Sequence, residues 1–179
     1  MIETPRLLLR PWTEADKPVF HDIINTPAMM THFGGVAERH RIDRLIDSQM
    51  EGQRSEGFSM WAVETKADGE LAGICGLRRS AVYADTPVGG MLEIGWRIAE
   101  PLWGTGVARE AAEASMAWGW ANTDDPKIVA WTSRGNTRSL GLMLKLGMTR
   151  REGLDFHHPF YTADEPLGAM IVHGVERPA

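Results

Sequence analysis

The sequence predicts an α/β (α+β) fold: a mixed seven-stranded sheet with helices on both faces, in the order βααβββαβαββ. Two patterns predict it. Short segments with β-like apolar patterns are interleaved with segments whose apolar residues recur at helical spacing. The 179 residues show no internal repeat and no low-complexity linker, which indicates a single domain over residues 1–179.

The first half of the chain predicts a strand, two helices and a hairpin. Pro11 ends the first strand, and Thr13 is expected to cap the first helix because acidic residues follow it in the first turn. The Asp68-Gly69 pair is typical of a tight hairpin turn. The expected bounds are strand 4–11, helices 13–25 and 38–54, and strands 58–64 and 71–78.

The second half predicts strands alternating with helices. An alanine-rich helix follows a Gly-x-Gly turn, and Gly147 is a suitable residue to end the last helix. The expected bounds are strand 91–98, helix 108–122, strand 128–132, helix 137–146 and strands 148–156 and 167–175.

Composition and charge exclude several classes of protein. A formal net charge of −5 argues against nucleic-acid binding. The chain has no apolar run of about 18–20 residues and no signal-peptide pattern, so we expect a cytoplasmic protein without a membrane partner. We also expect no metal site: Cys75 is the only cysteine and lies in an apolar run, and His157 and His158 are adjacent and point to opposite faces.

The most informative segment is a glycine turn that leads into a helix. Gly104 and Gly106 permit a tight turn whose N–H groups converge, and the helix near Val107 adds its free amides and dipole. A pyrophosphate suits such a turn, although a Gly-x-Gly alone is equally compatible with a plain tight loop. No lysine follows as in a Walker A motif, and Arg109 stands where a dinucleotide fingerprint needs its third glycine.

The segment Trp103-Gly-Thr-Gly106-Val-Ala108 resembles motif A of the GNAT superfamily of N-acetyltransferases, Gln/Arg-x-x-Gly-x-Gly/Ala. Trp103 replaces the usual Gln/Arg, as in the branch similar to ribosomal-protein N-terminal acetyltransferases (RimJ/RimL-like). The segments 4–11 and 136–148, the latter with Asn136-x-x-Ser139, also resemble that branch. These matches cover nearly the whole chain.

The resemblance implies acetyl-CoA as co-substrate, bound in a gap where the fourth and fifth predicted strands splay apart. The backbone of residues 96–98 would pair with the pantetheine arm, amides of the turn would hold the pyrophosphate, and Asn136 would bind the pantetheine from the other side. The implied coenzyme-binding residues are Trp96, Arg97, Ile98, Trp103, Gly104, Thr105, Gly106, Val107, Ala108, Arg109 and Asn136.

Acetyl transfer to an amine requires proton removal, carbonyl polarisation and a leaving thiolate. No nucleophile elbow is present, so direct attack by the amine is expected. Glu93 is the candidate base, acting directly or through water; the alternative is a structural glutamate bonded to backbone. Ser139 is the candidate to assist the thiolate, because Met143 stands at the family's tyrosine position. The alternative for Ser139 is a helix cap or a simple hydrogen bond.

The acceptor amine and the oligomeric state, monomer or homodimer, stay open. The expected acceptor is a protein N-terminus or a small-molecule amine such as an aminoglycoside, a polyamine or an amino acid. Other readings of the same turn are a catalytically silent CoA-binding sensor and a nucleotide-binding protein. Arg109, Arg138 and Lys145 are either phosphate contacts or a solvated helix face.

Overall fold

The computed structural model of the protein describes residues 1–79 and 81–178. The strands are β1 (Ile2–Glu3), β2 (Leu7–Arg10), β3 (Met60–Thr65), β4 (Leu71–Arg78), β5 (Leu92–Ile98), β6 (Lys127–Ser133), β7 (Thr149–Arg150), β8 (Phe156–His157) and β9 (Ala169–Glu176). The helices are α1 (Asp16–Ile24), α2 (Pro27–Met30), α3 (Arg39–Glu56), α4 (Val107–Asn122) and α5 (Thr137–Lys145).

The strands form one mixed sheet in the order β1-β2-β3-β4-β5-β6-β9-β7, with β8 paired to β9. Every pair is antiparallel except β5 with β6. Helices cover both faces. The core with α4 and α5 includes Ala111, Met116 and Met143, and the core with α1 and α3 includes Phe20 and Ile46. The predicted mixed sheet with helices on both faces is confirmed.

The parallel pair β5–β6 is short. Its register joins Leu92 to Ile128 and Glu93 to Val129, and no further pair follows. The antiparallel β4 stays paired along β5 as far as Ile98. The edge of β5 that faces β6 is therefore open from Ile94 onward, which confirms the expected splay between these two strands.

Several predicted boundaries were wrong. The predicted strand 4–11 is shortened to β2, and β1 is an additional strand before it. A helical turn, α2, lies between the two predicted helices. The predicted strand 148–156 is divided into β7 and β8, because the Asp155 carboxylate accepts from Val172 N–H (3.0 Å) and pairs with Arg150. The sheet therefore has nine strands among the described residues rather than seven.

Thr13 does not cap the first helix. Ala15 is the N-cap residue, without a side-chain cap bond. The direction of the interaction is reversed: the Asp16 carboxylate accepts from Thr13 N–H (2.8 Å) and Thr13 Oγ1–H (2.9 Å), and it pairs with Arg10 at 2.8 Å. The predicted starts of the later helices agree better, since α4 begins at Val107 and α5 is capped by Asn136. No helix in the described parts of the chain is long and apolar enough to span a membrane.

Candidate functional site

A cleft of about 1100 Å³ opens where β5 and β6 separate. The segment 102–109, between β5 and α4, and the first turns of α5 line one end of it. The other end is lined by the face of β5 that carries Glu93 and Arg97, by the segment 28–33 and by His158 and Tyr161. The splay therefore joins the glycine turn and Glu93 in one continuous space.

The glycine turn presents free amides at the N-terminus of α4. Gly104 (φ 78°) and Gly106 (φ 88°) both adopt the left-handed conformation, and Gly106 is the N-cap residue. Thr105 N–H makes only a long 3.4 Å bond to Leu102 O. The remaining amides have no acceptor among the described residues; they belong to Gly104, Gly106, Val107, Ala108 and Arg109. A helix N-terminus with free converging amides is a site for an anion.

A polar network braces this turn from the N-terminal segment. Arg6 Nη1 donates to Thr105 O (3.0 Å), and Arg6 Nε pairs with Glu110 Oε2 (2.6 Å). Thr4 Oγ1 donates to Glu110 Oε1 (2.6 Å). Sequence analysis missed this role of Thr4 and Arg6, because nothing in the local pattern shows that residues about a hundred positions apart meet.

The open edge of β5 carries Trp96, Arg97 and Ile98, whose backbone was expected to bind the coenzyme. The indole Nε1 of Trp103 donates to Ile98 O at 2.6 Å and fixes the loop after the strand. The guanidinium of Arg138, from α5, lies 4.4 Å from the Trp103 ring centroid. Trp103 therefore joins the two sides of the cleft, at the motif position where the family usually has Gln or Arg.

Asn136 and Ser139 stand at the start of α5, as predicted. The Asn136 amide caps the helix: its Oδ1 accepts from Ser139 N–H (3.2 Å) and its Nδ2 donates to Thr132 Oγ1 (2.9 Å). The Ser139 hydroxyl lines the cleft and has no hydrogen-bond partner among the described residues. Ser139 therefore has the freer side chain, and one N–H of Asn136 is left for a ligand.

Glu93 is buried and lines the cleft, but it is not alone. Arg78, directly opposite on β4, binds both carboxylate oxygens, with Nε–Oε2 at 2.7 Å and Nη2–Oε1 at 3.0 Å. Burial lowers the pKa of Arg78, but the Glu93 charge outweighs it, so the net shift is upward. The alternative to a catalytic role was a structural glutamate bonded to backbone groups, whereas the partner of Glu93 is the guanidinium of Arg78.

The comparisons with known proteins agree with this geometry. Residues 6–149 match the family model described as acetyltransferase (GNAT) domain. The Bacillus subtilis (strain 168) protein YkkB is 30% identical over 81% of this chain and 83% of its own. An acetyltransferase structure from Agrobacterium tumefaciens has a TM-score of 0.79 at 24% identity, covering 98% of this chain and 93% of that one.

The chain belongs to the GNAT acetyltransferase family.

It is thus an acyltransferase. Its structural neighbours include RimL, a ribosomal L7/L12 α-N-protein acetyltransferase solved in complex with coenzyme A, with a TM-score of 0.73 at 16% identity and coverage of 97% and 95%. That neighbour accords with the RimJ/RimL-like resemblance of motif A.

A histidine–tyrosine pair that was not predicted from the sequence lies at the Glu93 end of the cleft of this GNAT chain. His158 Nε2 lies 3.0 Å from Tyr83 Oη, and His158 Nδ1 accepts from Phe160 N–H (3.2 Å). Burial, then the charges of Arg78 and His157, lower the pKa of His158 to about 4, so the ring is neutral at pH 7. The adjacent histidines had been considered only as metal ligands; among the described residues no cluster of possible metal ligands is found.

The side chain of Arg97 was also missed, since only its backbone had been assigned. Residues 93, 95 and 97 share one face of β5, which strand alternation could have shown. The guanidinium stacks 3.7 Å from the Phe33 ring centroid. Burial, then repulsion by Arg78, lower the pKa of Arg97 to about 10, so it stays charged at pH 7. We call the space around Arg78, Glu93, Arg97 and Phe33 the basic chamber.

Cys75 is fully buried on β4, and burial raises the pKa of its thiol to about 12. Because only the thiolate is reactive, we expect native protein to give no measurable reaction with a disulfide reagent at pH 8, and one thiol per chain after denaturation. Labelling in and out of denaturant, followed by mass spectrometry, measures this. Rapid modification of the native protein would contradict the burial of Cys75.

Proposed function

We propose that the protein is an acetyl-CoA-dependent N-acetyltransferase that transfers the acetyl group directly to a primary amine. The free amides of Gly104 and of residues 106–109, where the N-terminus of α4 borders the cleft, carry this proposal. They would hold the diphosphate of the coenzyme. The family membership and the coenzyme A complex of RimL support the same ligand.

The remainder of the coenzyme would follow the open edge of β5. Backbone groups of residues 96–98 are expected to pair with the pantetheine like an added strand, and Asn136 to bind it from α5 with its remaining N–H. The Arg109 side chain is held by Glu113 at 2.8 Å, so its expected contribution is its amide. Arg138, which stacks on Trp103, and Lys145 line the same end, and neither has an ion-pair partner among the described residues, so both are candidates to contact phosphate.

The chemistry would use few side chains. The amine attacks the thioester carbonyl, a C–N bond forms, the C–S bond breaks, and the coenzyme leaves as its thiolate. Glu93 would take the proton of the amine. Because Arg78 binds both oxygens of Glu93, a bridging water is the route that needs least rearrangement.

Ser139 is proposed to donate a hydrogen bond to the leaving thiolate. A coenzyme thiol has a modest pKa and leaves without much help, so we expect Ser139→Ala to lower kcat by about 10-fold, the lower end of the range of about 1.5–3 kcal/mol that a hydrogen bond to a charged group contributes. Steady-state kinetics with acetyl-CoA measures the effect. Thr137→Ala, also on the first turn of α5, is the matched control. A loss above about 100-fold for Ser139→Ala would make Ser139 the principal acid instead.

The test of the proposed function is release of coenzyme thiol from acetyl-CoA in the presence of amines, with the product identified by its added acetyl mass. The panel should contain peptides with free N-termini, amino acids, polyamines and aminoglycosides. Turnover with any of them supports the proposal. Binding of acetyl-CoA without thiol release would instead support a sensor, and competition by ATP would support a nucleotide site.

A further inference from the structure

The charges that line the cleft are unevenly distributed. Glu93 is the one carboxylate among the described residues that line it. Cationic side chains are more numerous, namely Arg78, Arg97, Arg109, Arg138 and Lys145. Arg109 pairs with Glu113, and Arg78 pairs with Glu93. Arg138 and Lys145 stand at the coenzyme end, where phosphates are expected. Arg97 is the remaining charge, and it belongs to the basic chamber.

Arg97 has no acceptor among the described residues. Its guanidinium makes no hydrogen bond and no ion pair with them, and its one aromatic contact is the stacking on Phe33. A guanidinium carries five N–H donors in a planar fork, which suits a carboxylate or a phosphate. A half-buried cation next to a second guanidinium is unfavourable unless an anion accompanies it. The chamber holds two guanidiniums and one carboxylate, and Arg78 already binds both oxygens of that carboxylate, so the N–H donors of Arg97 are left for an anion from outside the protein.

The coenzyme phosphates are poorly placed to be that group. Leu92, Ile94 and Ile98 pack in the core that α4 covers, whereas Arg97 alternates to the opposite face of β5. On that face Met60 lies against Gly95, and both Met60 and Phe33 pack in the core with α1 and α3. The free amides for the diphosphate are at the start of α4. Arg97 thus faces the side of β5 that α1, α3 and the segment 28–33 cover, away from the start of α4.

We infer that the acceptor is an amine that also carries a carboxylate, and that Arg97 binds this carboxylate. The inference rests on the proposed function for the amine, while the anion site stands on the geometry of the basic chamber. The same charges disfavour polyamines, because a polycation would meet two guanidiniums and a single, already paired carboxylate. The acceptor classes left open by the sequence are narrowed to amino acids and peptides with a nearby carboxylate.

Matched acceptor pairs test the inference. Each α-amino acid or dipeptide is compared with its C-terminal amide, which keeps the amine and removes the negative charge; spermidine serves as the polycation. Binding is measured by calorimetry on the protein saturated with coenzyme A, and turnover by thiol release from acetyl-CoA. We expect the Kd of the best acid to be at least about 10-fold lower than the Kd of its amide, and we expect little binding of spermidine.

Variants assign the preference to Arg97. We expect Arg97→Gln to remove the preference for the acid through a higher acceptor KM, with the Kd of coenzyme A changed by less than about 3-fold, and Arg97→Lys to keep part of the preference. Arg54→Gln, at an exposed position on α3, is the matched control. Since Arg97→Gln removes an uncompensated charge, its Tm without ligand should equal or exceed that of the unmodified protein.

Three results would overturn the inference: amides or spermidine bound as well as the acids, an acid preference that survives in Arg97→Gln, or a loss of coenzyme A affinity equal to the loss of acceptor affinity. The binding arm separates this inference from the proposed function. Acid-selective binding that depends on Arg97, without any acetyl transfer, would support the anion site and refute the transferase proposal. Acetyl transfer to amines without a preference for the acids would support the transferase proposal and refute the anion site.

Discussion

Gly106→Glu is expected to abolish acetyl-CoA binding, with a rise in Kd of about 100-fold or more. A Cβ at Gly106 would lie 3.3 Å from Arg6 Nη2, so the new side chain would enter beside the brace of the turn. Its carboxylate would repel the diphosphate, an interaction of about 4 kcal/mol for unit charges about 4 Å apart near a protein surface. Gly106 also has a φ of 88°, which costs a residue with a side chain about 1–2 kcal/mol. Calorimetry with coenzyme A measures the Kd directly.

Gly57→Glu is the control for this change. Gly57 has a φ of 79°, is exposed, and ends α3 away from the cleft, so it imposes the same backbone strain and adds the same charge. It should retain coenzyme affinity at a comparable cost in Tm. If Gly106→Glu bound coenzyme A as tightly as Gly57→Glu does, the turn would not be the phosphate site, and the proposed function would lose its main support.

Glu93→Gln is expected to lower kcat by about 100- to 10,000-fold, the usual contribution of a general base. The loss should shrink at high pH, where more of the amine is already deprotonated. The Kd of acetyl-CoA should change by less than about 3-fold. The variant should also unfold more easily, by about 1–3 kcal/mol, because Arg78 loses its charged partner. Rate–pH profiles and denaturant titrations measure the two effects separately.

Arg78→Gln separates catalysis from structure in this pair. It breaks the same ion pair but leaves the Glu93 carboxylate in the cleft. If Glu93 is the base, Arg78→Gln should share the stability loss of Glu93→Gln but keep most of the turnover. The alternative result is that both variants lose the same fraction of kcat and that their rate–pH profiles match that of the unmodified protein. Glu93 would then have a structural role and no part in the mechanism.

Local signals predicted the glycine turn and the starts of the two helices at one end of the cleft. The two glycines, the start of α4 at Val107 and the Asn136 cap are properties of neighbouring residues, so a short segment of sequence contains them. The family resemblance supplied the splay, which the limited register of β5 with β6 confirms. The side-chain roles assigned to Glu93 and Ser139 stay predictions.

The other end of the cleft depends on contacts between distant residues. The Arg78–Glu93 pair follows from the register of β4 and β5. A two-residue hairpin turn would fix such a register, but 13 residues separate these two strands, so the sequence alone does not determine it. Tyr83 and His158 are 75 positions apart. Arg97 is the exception, because alternation along a single strand could have placed its side chain on the same face of β5 as that of Glu93.

The brace from the N-terminal segment has a thermodynamic consequence. Thr4 and Arg6 hold Glu110 and Thr105, and they lie in the segment between β2 and the two-residue edge strand β1. A short edge segment opens at little cost in free energy. A ligand that requires an ordered turn therefore also favours the docked state of the first six residues. If the coenzyme binds this turn as proposed, it and the segment that carries Thr4 and Arg6 act as linked ligands of the same loop, so a change that undocks this segment would also weaken coenzyme binding.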